Sequence, residues 1–151
     1  MRPINAPVLT LPILALLALA ACSEPASKTA RAPDAEATPA ILAGVDLAEP
    51  VSVLGTEPFW GLKLTPSAIT YTGPEGAPLS GANPGPVIQG TTAAYAATLN
   101  GQALELTLIA TECSDGMSDR TYPLTAIVKL GETKLNGCAI GQAALAALPP
   151  A

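Results

Sequence analysis

Histidine is absent from all 151 residues, and this closes several kinds of chemistry at once. Ser-His-Asp and Cys-His nucleophile arrangements both need an imidazole, and so do the commonest zinc and copper sites. Aromatic side chains are also scarce: one Trp, one Phe and three Tyr. A core so poor in large rings gains from a covalent crosslink. Basic groups are few, with 7 Lys and Arg against 12 Asp and Glu and a net charge of −5. Beyond Arg2 they are Lys28, Arg31, Lys63, Arg120, Lys129 and Lys134, too dispersed to form a patch. Nucleic acid is therefore not a predicted partner.

Apolar residues are instead concentrated at the start. In MRPINAPVLTLPILALLALAAC, Arg2 supplies a positive n-region and Pro7 to Ala21 form an almost wholly apolar run of 15 residues. That run fits the h-region of a signal peptide and is short of the roughly 20 residues of a membrane span. Pro7 and Pro12 weaken it further as a permanent helix. The run closes on Leu19-Ala20-Ala21-Cys22, which resembles the lipobox of bacterial lipoproteins. The resemblance implies cleavage after residue 21, attachment of diacylglycerol to the Cys22 thiol and acylation of the new amino group. Two or three acyl chains anchor a protein stably where one does not. Membrane lipid is thus the first predicted partner. The predicted location is the bacterial cell envelope, facing the periplasm, and Ser23 favours the outer membrane.

In residues 22–50, Cys22 is followed by SEPASKTARAPDAEATPA, rich in Ala, Pro and charge and without aromatics. Such a segment buries too little apolar surface to offset its ordering entropy, which predicts a disordered tether. A single small β domain is predicted over 51–145, followed by a tail at 146–151.

From Val51 the apolar period is two. Trp60, Leu62 and Leu64 share one face of FWGLKLT, and Ile69 and Tyr71 share one face of AITYTG. PEGAPLSGANPGPVIQG, residues 74–90, is dense in Gly and Pro and reads as a long irregular loop. TTAAYAATL and QALELTLIAT flank Asn100-Gly101, the signature of a type I′ hairpin turn. TYPLTAIVKL places Tyr122, Leu124, Ala126, Val128 and Leu130 on one face, and TKLNGCAIG completes the set. AALAALPPA suggests a short terminal helix stopped by Pro149-Pro150. Roughly six or seven strands about 10 residues apart predict an all-β, mainly antiparallel barrel or sandwich.

Outside the cytoplasm disulfides persist. With Cys22 taken by lipid, Cys113 and Cys138 are the remaining pair, 25 positions apart. A bridge between them would contribute about 3–4 kcal/mol on chain-entropy grounds. The stretch TECSDGMSDRTYP around Cys113 admits other readings. Glu112, Asp115 and Asp119 offer oxygen, and Cys113, Met117 and Cys138 offer sulfur to a soft ion such as Cu(I). The acidic spacing does not fit a calcium loop, and no C-x-x-C motif is present. No metal ligand and no cofactor are assigned. Asp115 and Asp119 could divide acid and base roles if they shared a cleft. Nothing in the spacing brings them together, so no catalytic residue is assigned.

Two segments together, GTEPFW at 55–60 and CSDGMSDRTYP with the later GC at 113–138, resemble a group of small bacterial envelope lipoproteins that sometimes occur beside META-type domains. Gly55, Glu57, Pro58, Phe59 and Trp60 match the first segment. Cys113 to Arg120, Tyr122, Pro123, Gly137 and Cys138 match the second. The resemblance implies a compact β-rich fold with the two cysteines paired; it implies no activity.

Phe59 and Trp60 are adjacent, so on a strand they face opposite ways: one can anchor the core while the other is free to cover a loop or meet a ligand. Phe59, Trp60, Asp115, Asp119 and Arg120 are the candidate contact residues. The leading functional expectation is a lipid-anchored, non-enzymatic module binding a periplasmic protein, an envelope polymer or a small apolar ligand. Copper or redox sensing through the two cysteines and Met117 is one competing reading. Inhibition of a basic lytic enzyme such as lysozyme by an acidic surface is another.

Overall fold

The computed structural model describes residues 40–149. The leader, Cys22 and most of the tether lie outside these residues, as do the last two of the tail. Among the described residues the fold is all-β, with one short helix.

The fold begins about ten residues before the predicted boundary at Val51. Strands β1 (Ile41–Leu42) and β2 (Val45–Asp46) form a hairpin. Leu42, Val45 and Leu47 are buried in the main core. Residues 40–50, expected within the tether, therefore belong to the domain, because three of their side chains bury apolar surface. The turn places Ala43 and Gly44 at φ 47° and 79°. Both values suit a type I′ connection, but Ala lacks the Asn or Gly signature that marks such turns in a sequence.

The body of the fold is a nine-stranded antiparallel sheet. Its strands are β3 (Val51–Thr56), β4 (Phe59–Leu64), β5 (Ala68–Thr72), β6 (Leu79–Ala82), β7 (Val87–Gln89), β8 (Thr92–Leu99) and β9 (Gln102–Ile109). A two-stranded side sheet, β10 (Cys113–Ser114) with β11 (Thr121–Tyr122), precedes β12 (Leu124–Leu130) and β13 (Thr133–Gly141). Helix α1 (Gln142–Ala147) follows β13 directly. The sheet order is β6-β5-β4-β3-β13-β12-β9-β8-β7.

The sheet curls into a barrel-like form. β3 pairs with β13, so the ends of the long meander meet. β6 pairs with β5, while β7, from the same stretch of chain, pairs with β8. β6 also reaches the end of β8, where the Asn100 N–H donates to the Ser80 carbonyl at 3.0 Å. Gly81 makes this approach possible, because a Cβ there would lie 2.0 Å from the Thr98 carbonyl oxygen. The predicted irregular loop over 74–90 is thus corrected: it holds two short strands. Of its four prolines, Pro74 and Pro78 precede β6 and Pro84 and Pro86 fall between the two strands, where no ladder hydrogen bond is lost.

Period two sorts the side chains as the sequence predicts. Val51, Val53, Trp60, Leu62, Leu64, Ile69, Tyr95, Leu99, Leu104, Leu106 and Leu108 all point inward and are buried. The Asn100-Gly101 turn has φ 47° and 88°, as a type I′ hairpin requires. Trp60 stacks on Tyr71 with ring centroids 6.3 Å apart. Aliphatic side chains fill the interior, as in small barrels whose lumen is a packed core.

Tyr122 departs from the predicted pattern. Pro123 interrupts the strand, so Tyr122 belongs to β11 and does not share the inner face of Leu124 and Ala126. It packs instead with Cys138 and Ile140 in a second apolar cluster. On β13, Leu135 and Ala139 point into the barrel, so Cys138 and Ile140 point out. The β10–β11 side sheet and α1 cover this outer patch of the barrel.

Candidate functional site

The outer patch brings the two sequence motifs together. β3 and β4 meet at a turn containing a cis Glu57–Pro58 peptide. Register pairs Gly55 with Trp60 and Thr56 with Phe59. Trp60 goes inward and is 5% exposed, while Phe59 goes outward and is 64% exposed. Gly55 accommodates the indole, because a Cβ there would lie 2.1 Å from the indole nitrogen. Gly137 does the same from β13, where an added Cβ would lie 3.0 Å from the indole and 2.2 Å from the Leu54 carbonyl oxygen.

A covalent bond pins the loop of the second motif to β13, and a hydrogen bond links that loop to the first motif. Cys113 and Cys138 are joined in a disulfide with Cα atoms 5.5 Å apart. The bridge ties the loop that follows β9 to the outer face of β13. The Thr56 hydroxyl donates to the Asp115 carbonyl at 3.1 Å, linking positions 59 apart in the chain.

Asp115 organises the loop between them. Its carboxylate accepts the backbone N–H groups of Met117 at 3.0 Å and Ser118 at 2.8 Å. It also accepts the Ser118 hydroxyl at 2.8 Å and the Tyr122 hydroxyl at 3.1 Å. The Ser118 and Met117 amides, followed by the two hydroxyls, hold its carboxyl down at about 2. At neutral pH it is a fixed anion, poorly matched to proton transfer. Asp119, the other carboxylate considered, is exposed and lies outside both this network and the cleft lining. The structure therefore does not assemble the carboxylate pair that acid–base catalysis would need.

Arg120 turns the other way. Its guanidinium donates to the Pro149 carbonyl beyond α1. Tyr122 is buried, and desolvation together with its bond to Asp115 raises its phenol above the ordinary range.

Together these elements form an open cleft of about 450 Å³. Leu54 and Phe59 line it from the strands, Met117, Arg120 and Tyr122 from the loop, and Leu145 from α1. Met117, at 65% exposure, faces solvent as freely as Phe59. Two large apolar side chains from separate motifs thus flank one cationic group. A larger open groove of about 760 Å³ lies on the other side of α1, between the β1–β2 turn and Ala143 and Ala146.

Of the candidate contact residues, the structure places the side chains of Phe59, Asp115 and Arg120 on this cleft. Trp60 is corrected to a core residue, because its indole is buried in the barrel behind the cleft, and Asp119 lies outside it. The sequence motifs do not point to Leu54, Thr56 or Leu145 as cleft residues. Thr56 is the unspecified position inside GTEPFW, and Leu145 carries a signal only through its spacing of three from Leu148. Among the described residues no group of three or more Cys, Asp and Glu is placed to hold a metal ion. With both sulfurs in the bridge, Met117 remains the one sulfur donor of the proposed soft-metal set.

Comparison with protein-family models found no match. Searches of curated proteins and of solved structures likewise found none.

Proposed function

We propose that this chain is a lipid-anchored envelope protein whose β domain binds a partner through the cleft between its two motif segments. The observation that carries the reading is the pairing of Phe59 and Met117. Both are highly exposed, both are large and apolar, and they flank one cleft. Exposed apolar groups gathered at one place around a polar anchor mark recognition surfaces. The packed interior favours recognition on the outside over carriage of a small ligand within.

Acylation of Cys22 would hold the domain at the membrane, and residues 23–39 would give it reach. The acidic balance of the chain suits a basic partner, which keeps a lytic enzyme such as lysozyme among the candidates. Undiminished lysozyme activity in the presence of the purified protein would remove that candidate.

The test is recovery of a partner from detergent-solubilised envelopes by the intact protein and by its Phe59→Ser/Met117→Ser form. A species retained by the first and lost by the second supports the reading; equal recovery contradicts it. Incorporation of labelled palmitate into the natural chain but not into Cys22→Ser tests the anchor separately.

A further inference from the structure

We propose that the C-terminal arm, residues 142–149, is a displaceable internal occupant of an apolar seat continuous with the cleft. The partner would then be a peptide segment of the same chemistry. It would carry two leucine-like side chains three positions apart on a helical turn, followed by a carbonyl or carboxylate oxygen for Arg120. The inference rests on the binding role proposed above and adds the class of ligand.

The seat lies on the outside of the barrel, yet Cys138 and Ile140 are only 1% and 6% exposed. Their cover is Tyr122, Leu54 and the bridged Cys113, completed by Leu145 and Leu148 of the arm. Leu145 is also a wall of the cleft beside Phe59 and Met117. Removing the arm would therefore join the cleft to the vacated seat in one apolar surface running from Phe59 to Ile140. Arg120 stands beside that surface, and its guanidinium is already engaged by a backbone oxygen of the arm.

The arm is lightly held. α1 spans six residues, none of them buried, and its N-terminus has no side-chain cap. A helix of that length cannot sustain itself without its contacts. Those contacts are two half-buried leucines, the Arg120 bond, and the Gln142 N–H donating to the Pro50 carbonyl at 2.8 Å. The arm adds no strand to the barrel, whose last strand ends at Gly141. An occupant bound by few contacts in a seat built from buried side chains can exchange with a competitor bearing the same groups.

The test uses the full mature chain carrying Leu145→Ser and Leu148→Ser, which removes the two leucines that fill the seat and leaves Tyr122, Cys138 and Ile140 in place. The probe is a labelled synthetic peptide of residues 142–149, followed by fluorescence anisotropy. Saturable binding is expected, weaker by about tenfold or more for the natural chain, whose tethered arm competes at high effective concentration. A comparable loss is expected when Arg120→Ala is added. Equal affinity for all three proteins would overturn the proposal. So would no binding to the double variant while its circular dichroism and melting transition remain those of the natural sheet.

Hydrogen exchange on the unaltered chain is a second readout, independent of any variant. The Ala144–Leu148 amides should exchange at least about a hundredfold faster than those of β13. Exchange of the arm only through global unfolding would overturn the proposal. If the peptide binds as expected but envelope recovery ignores Phe59 and Met117, the cleft reading fails and the arm inference stands. If the reverse holds, the arm inference alone fails.

Discussion

The Tyr122 hydroxyl donates to the Asp115 carboxylate at 3.1 Å, closing the motif loop onto the strand that follows it. Because that carboxyl is held at about 2, below its ordinary 3.8, it stabilises the folded loop in its ionised form. The contribution is complete above about pH 4 and is lost as pH falls towards 2. The amide resonances of Met117 and Ser118 should therefore shift together over that window. In Asp115→Asn they should stay constant there, and protection of both amides from exchange should fall.

Phe59 and Trp60 differ by one position and should differ in every consequence of substitution. Trp60→Ala removes a buried ring stacked on Tyr71 and should cost about 3–5 kcal/mol. Phe59→Ser removes an exposed ring and should change stability by no more than about 0.5 kcal/mol. Urea denaturation of the two variants gives both numbers, and Phe59→Ser should be the one that abolishes partner recovery.

The Cys113–Cys138 bridge closes a separation of 25 residues. Replacing both cysteines with Ser should lower stability by about 3–4 kcal/mol, chiefly by freeing the unfolded chain. The β10–β11 side sheet should lose amide protection first, because the bridge joins it to β13, while the strands of the barrel should keep theirs.

Tyr95 is buried inside the barrel, and its hydroxyl has no hydrogen-bond partner there. Burial pushes its phenol up to about 12 from an ordinary 10.0. The folded state therefore binds that proton more tightly than the unfolded state. Stability from this group is present below about pH 10 and is lost as pH rises towards 12. Tyr95→Phe should flatten that alkaline loss, seen in thermal melts across the window. At neutral pH it should leave stability unchanged or raise it by up to about 1 kcal/mol, since no partner is left unsatisfied.

The parts of this fold that are legible in the sequence are those in which one local rule acts alone. Leu104, Leu106 and Leu108 alternate with polar neighbours, so period two declares a half-buried strand. Asn100-Gly101 has the backbone freedom that a two-residue hairpin requires. The hidden parts depend on partners distant in sequence. β6 and β7 sit in a Gly- and Pro-rich stretch and exist only because β5 and β8 supply their ladders. The β1–β2 hairpin turns at Ala43, a residue that advertises no turn, and it is fixed by burial of Leu42 and Val45 in a core formed later in the chain.

The candidate site divides in the same way. Opposite faces for Phe59 and Trp60 follow from adjacency on a strand, and pairing of the two cysteines follows from their number and the expected export of the chain. That Asp115 would serve as a structural acceptor, leaving Arg120 to meet the arm, depends on loop geometry that no periodicity encodes. Tyr122 shows the limit well: its spacing places it with Leu124, but Pro123 turns it to the other side of the sheet.

The most direct test of a recognition cleft on the outer face is photo-crosslinking in living cells. A benzophenone side chain is introduced at position 59 or, as a control, at position 87. Phe59 and Val87 are each 64% exposed, but Val87 lies on β7, away from both motifs. A discrete adduct from position 59 that position 87 does not form, and that Met117→Asp removes, is the predicted result. Identical adducts from both positions, or none from position 59 in cells making normal amounts of the protein, would contradict it.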